Sequence, residues 1–161
     1  MKSDTTNTAI SRQNFRRARV LLIQHDIDQQ ALIKRCFATY LPEVELVKAI
    51  NEEQAITYLQ ACKFDEWKLP KMILLDALMP CRDDAWRILR RIKELPAPIN
   101  QVPVVMLGYA DDPEDISGAY DRGSSSYLVK PANVDEWPDY FQMLRKYWWE
   151  TVLLPSSDYR Y

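Results

Sequence analysis

Residues 72–80 read MILLDALMP: four apolar residues, one aspartate, three more apolar residues and a proline. A run with no polar alternation needs cover on both faces, which suits an inner strand of a parallel sheet. It ends on Asp76, a charged group at the tip of a buried strand. Four similar runs lie around it, RVLLI (19–23), VELVKAI (44–50), VPVVMLG (102–108) and SYLVK (126–130). Their alternation with longer helical patterns indicates α/β architecture and excludes a sandwich of two sheets.

The intervening segments support that reading. DQQALIKRCFATYL sets Leu32, Cys36 and Phe37 on one helical face, with Ala31, Ile33 and Leu41 widening it. NEEQAITYLQACKF opens on Asn51, a suitable N-cap, and DDAWRILRRIKEL groups Trp86, Leu89 and Ile92 while Arg87, Arg90 and Arg91 face solvent. In DPEDISGAYDRG, Pro113 fits a first helical turn and Gly123 a C-terminal exit. NVDEWPDYFQMLRKYWWETVLLP completes five strands and five helices. The chain divides into a flexible polar leader at 1–16, one domain at 17–153 and a tail at 154–161.

The 161 residues are enough for a core without disulfides or structural metal. A net charge of -2 with 47% hydrophobic residues argues against a nucleic-acid partner and against disorder. Cys36, Cys62 and Cys81 lack CxxC spacing and leave one unpaired in any scheme, which points to a reducing, cytoplasmic setting. No apolar run reaches the ~20 residues of a membrane span, so no membrane partner is expected.

Ligands of open parallel sheets gather where strands end at their C-terminal edge. Asp76 sits at such an edge, where an aspartate can equally cap a turn or helix. Lys130 closes SYLVK and precedes Pro131. A carboxylate and an ammonium at two strand tips of one sheet can pair, and together they also suit an acyl-phosphate site.

ILLDALMP together with GSSSYLVKP, set in five βα units over residues 18–150, resembles the receiver domain of two-component response regulators. The resemblance implies a flavodoxin-like fold with strand order 2-1-3-4-5, the order the general fold rules record for this family's chemotaxis member. YWWETVLLP is further similar to the stand-alone receivers that partner phytochrome-type kinases. By the resemblance Asp76 is the phosphoacceptor, Lys130 contacts the phosphoryl oxygens, Tyr127 is the switch aromatic, and Pro131 is the proline often joined through a cis bond. A sensor histidine kinase and a downstream protein are the implied partners, in a bacterial phosphorelay without catalysis of its own.

Three positions depart from the family pattern. Gln24 and His25 stand where an acidic pair holds Mg²⁺, and an amide with an imidazole is a poor ligand set for that hard cation. Mg²⁺ is therefore expected to bind weakly or not at all, with Asp26, Asp76 and the Leu78 carbonyl as the remaining candidate ligands. Gly108 replaces the usual Ser or Thr, and MPCRDDAW is one residue longer than the family's loop. His25 could join a transition metal, confer pH sensitivity or, the favoured expectation, form a charge cluster with Asp76 and Lys130.

In the last helix Trp137, Phe141, Leu144 and Trp148 recur at core spacing. Tyr140, Tyr147 and Trp149 lie off that stripe and are candidates for a homodimer or partner surface. The leading expectation is phosphoryl acceptance on Asp76 in a phosphorelay, signalling through protein contacts, and the alternative is a phosphorylation-independent pseudo-receiver. A flavodoxin-like electron carrier ranks third, because no Gly/Ser/Thr phosphate loop follows the first run.

Overall fold

The computed structural model describes residues 2–109 and 112–155. Strands β1 (Arg19–Ile23), β2 (Glu45–Ala49), β3 (Met72–Asp76), β4 (Val104–Gly108) and β5 (Ser126–Val129) form one parallel sheet in the order β2-β1-β3-β4-β5. This is the expected flavodoxin-like order. Helices α2 (Ile27–Tyr40), α3 (Glu52–Ala61), α4 (Arg82–Glu94), α5 (Pro113–Asp121) and α6 (Trp137–Leu144) follow β1 to β5 in turn.

Side-chain alternation along each strand splits the core in two. Leu21, Ile23, Ile73, Leu75, Val104 and Met106 face α3 and α4. Val20, Leu22, Met72, Leu74, Val105 and Leu107 face α2 and α6. Both faces are apolar because both are covered.

Local capping sets the helix starts. Asn51 accepts from the Gln54 backbone N–H, and Asp112 caps α5 ahead of Pro113. Gly123 has φ +101°, the left-handed conformation that ends this helix and that side chains resist.

The N-terminal segment differs from the expected flexible leader. Lys2–Phe15 forms a helix, α1, making six α-helices among the described residues. Its anchor is Asn14, whose buried Nδ2 donates to the carbonyls of Trp149 (2.9 Å) and Val152 (2.6 Å). The Asn14 Oδ1 accepts from the Leu154 N–H at 3.0 Å. Phe15 stacks on Trp149 at 5.3 Å between centroids, and Arg145 lies 4.8 Å from the Phe15 ring while pairing with both Glu43 oxygens. The compact body thus reaches Leu154, inside the expected tail, and 156–161 lie outside the described residues.

Asn14→Ala strands two carbonyls and one N–H in that anchor, and is expected to cost about 3 kcal/mol in urea unfolding. An unchanged midpoint would show that α1 contributes nothing to the fold.

The C-terminal helix is broken where the sequence suggested continuity. A 3₁₀ turn at Val134–Glu136 precedes α6, and a π-helical turn at Arg145–Trp149 follows it. The wider turn brings Trp148 and Trp149 both to the interior.

Candidate functional site

Strand register decides what meets at the C-terminal rim. Gln24 continues the alternation of Val20 and Leu22, Asp76 that of Met72 and Leu74, and Lys130 that of Leu128, so all three face α2 and α6. His25 falls one residue out of step and faces the other side.

The three in-register side chains converge and are buried. Asp76, 2% exposed, pairs through Oδ2 with the Lys130 ammonium. The same oxygen accepts from Gln24 Nε2 at 2.5 Å, and Oδ1 accepts from the Leu78 N–H at 2.8 Å. Asp76 is both a turn-former and an ion-pair partner, so the two readings of this aspartate hold together.

Gln29, on the first turn of α2, closes the network. Its Oε1 accepts from Lys130 Nζ at 2.6 Å and from Gln24 Nε2 at 2.5 Å. Gln24 Oε1 in turn accepts from the Asp26 N–H at 3.1 Å, and the Gln24 carbonyl accepts from Gln30 Nε2 at 3.3 Å. Every polar group on the Gln24 side chain is engaged within the protein. Sequence reading passed over Gln29; the usable signal was a glutamine five residues beyond Gln24, across a helix start.

Several expected participants are elsewhere. His25 is exposed and lines a cleft of about 620 Å³ between α3 and α4 with Asn51, Glu53 and Met79, so the proposed charge cluster with Asp76 and Lys130 does not form. Asp26 N-caps α2, its Oδ1 accepting from the Asp28 and Gln29 N–H groups at 3.0 and 3.1 Å, which commits one oxygen of the carboxylate considered for a metal to the helix start. Leu78 enters through its N–H. Among the described residues no group of three or more His, Cys, Asp and Glu side chains is arranged around a metal position.

Tyr127 and Gly108 belong together. Both face α3 and α4, and a Cβ on Gly108 would lie 2.0 Å from the Tyr127 hydroxyl oxygen and 2.8 Å from the Ala77 Cβ. The phenol occupies the space of the missing side chain and donates to the Tyr109 carbonyl at 3.1 Å. The Tyr109 ring stands 5.1 Å from Lys130 Nζ. Among the described residues the cis peptide bonds are Met79–Pro80 and Ala97–Pro98, and Lys130–Pro131 is trans.

The interface candidates separate. Trp149 is 1% exposed beneath Phe15 and offers no surface, which corrects its assignment to an interface. Tyr140 is half-buried, and burial pushes its phenol well above the ordinary range. Tyr147 remains 54% exposed. Trp137, Phe141, Leu144 and Trp148 are core, as their spacing indicated.

Among the described residues no helix is long and apolar enough to cross a membrane. The family profile described as the response regulator receiver domain matches residues 20–142. The probable methanogenesis regulatory protein FilR2 of Methanothrix harundinacea is 27% identical over 131 residues, 80% of this chain and 82% of its own. The Mn²⁺-bound form of response regulator Rcp1 superposes with a TM-score of 0.71 at 27% identity, covering 86% of this chain and 99% of that one. The phosphorylated cyanobacterial phytochrome response regulator RcpA gives 0.73 at 27% identity, with the same coverage.

Proposed function

The chain belongs to the response regulator receiver family, and from that premise we propose that it acts as a pseudo-receiver, a protein-binding module with impaired Mg²⁺ binding that signals without phosphorylation of Asp76. The observation that carries this reading is the Gln24 amide, which donates to Asp76 from the place of an acidic ligand.

A divalent cation does not fit these residues. A hard cation needs converging anionic oxygens, and the rim supplies one carboxylate whose Oδ2 already accepts from Lys130 and Gln24. The Gln24 oxygen is taken up by the Asp26 N–H, and His25 is turned to the far face. Phosphoryl transfer relies on charge neutralisation, so Asp76 and an incoming phosphate would repel with only Lys130 between them.

One observation favours the second reading, acceptance of phosphoryl from a sensor histidine kinase. Lys130 and Asp76 form the buried pair that such chemistry uses, with the cation already in place. Intact mass after incubation with acetyl phosphate and Mg²⁺ separates the two. The pseudo-receiver reading expects no adduct; a labile phosphoryl adduct on the wild type, absent from Asp76→Asn, would overturn it.

The module is assigned no reaction of its own and is placed in the cytoplasm, where free Cys36, Cys62 and Cys81 are compatible with a reducing environment. A downstream protein is its partner, with contacts on α5 and α6. A homodimer would use the outer side of α6 and the π-helical turn after it, where Met143 and Tyr147 are exposed.

A further inference from the structure

On the α3–α5 side of the sheet, away from the Asp76 side chain, Trp86 lies across Gly118 in the middle of α5. A Cβ at Gly118 would sit 2.4 Å from the indole, so only glycine admits the ring there. Glycine inside a helix is unfavourable relative to alanine, and here the indole platform occupies the space it leaves. The Arg122 guanidinium stacks on the same ring, 3.6 Å from its centroid, and donates to the Gly118 carbonyl at 3.0 Å. It is held in one orientation without a carboxylate partner among the described residues.

Beside it opens a cavity of about 310 Å³ lined by Asp83, Trp86, Arg87, Arg90 and Arg122. Arg87 is engaged by Glu52 at 2.8 Å and Asp84 at 3.1 Å. Arg90 reaches only Glu94, at 3.9 Å with both side chains 68% exposed, a contact of little strength. Three guanidiniums face one carboxylate in a concavity of a chain whose net charge is -2. Two of them are available to a ligand, and one is preorganised.

We propose that this α4–α5 cavity is a docking site for an acidic peptide segment of a partner protein, with Arg122 and Arg90 receiving carboxylates and Trp86, on whose ring both Arg122 and Arg82 stack, holding Arg122 in place. A planar guanidinium fixed on an aromatic face matches a carboxylate with little further ordering cost. The segment is preferred to nucleic acid because the concavity is small and the molecule around it carries a net negative charge. The site is independent of whether Asp76 accepts phosphoryl, so either reading of the rim can fail without affecting it.

The test uses the full chain and follows the Trp86 indole N–H resonance, assigned with Trp86→Phe, during titration with a short oligoglutamate peptide. Saturable shifts are expected, with binding at least about tenfold weaker in Arg122→Gln and unchanged in Arg35→Gln on the opposite face. Gly118→Ala, which favours the helix but must displace the indole, is expected to weaken binding as much as Arg122→Gln. No saturable shift, equal binding of an oligoglutamine peptide, saturation by inorganic phosphate or single-stranded DNA at the same concentrations, or an unaffected Arg122→Gln variant would each overturn the proposal.

Discussion

A chain carrying Gln24→Glu and His25→Asp is expected to take up phosphoryl from acetyl phosphate in Mg²⁺ at least about a hundredfold faster than the wild type. Gln24 now donates a hydrogen bond to Asp76, whereas glutamate there would present a second anionic oxygen beside it. Two carboxylates with only Lys130 to balance them create a site that a divalent cation stabilises. Mg²⁺ should accordingly raise the melting temperature of the double variant and leave the wild type unmoved, since a ligand stabilises only the state that binds it. Because Gln24 shares the face of Asp76 and His25 does not, Gln24→Glu alone should supply most of the gain. A wild-type rate equal to that of the double variant, with the same Mg²⁺ dependence, would show that the amide is no obstacle and return phosphoryl acceptance to first place.

The meeting of Asp76 and Lys130 was legible because both close apolar runs, and parallel strands deliver their ends to one rim. The same logic carried to the parity of side chains separates Gln24 from His25: Val20 and Leu22 point to one core, Leu21 and Ile23 to the other. Charge made His25 conspicuous in the sequence, but register, not charge, determined which residue reached the aspartate. Asp26 shows the complementary limit. Its carboxylate was free on paper, yet the first turn of α2 has unpaired N–H groups that claim it.

Helix α1 had no readable signature, because its polar sequence carries no apolar stripe and it is anchored by Asn14 and Phe15 through contacts more than a hundred residues away. Trp149 was misplaced for a geometric reason. A 3.6-residue period puts it off the core stripe, and the π-helical turn at Arg145–Trp149 inserts an extra residue per turn that rotates it inward. Tyr127 was read as the switch aromatic and Gly108 as an unrelated departure, whereas spatially the two belong together: the tyrosine fills the volume the glycine leaves.

Lys130→Met should be the most damaging single change at the rim, costing about 3–5 kcal/mol in urea unfolding. The ammonium is buried with Asp76 and also bonds Gln29, so its removal leaves a carboxylate 2% exposed with only Gln24 and the Leu78 N–H to satisfy it. Asp76→Asn is expected to be milder, because an amide oxygen can still accept from Lys130 and no bare anion remains. The decisive comparison is the double variant Lys130→Met with Asp76→Asn. If the loss arises from an uncompensated charge, the double variant recovers most of it, and the coupling between the two positions is large and favourable. If the double variant is as unstable as Lys130→Met, the loss comes from the ammonium's contacts with the Gln29 oxygen and the Tyr109 ring, and the rim is not organised around an ion pair. That result would remove the fixed charge centre from the proposed function, since a site held by those contacts alone would leave Asp76 free to take a different partner.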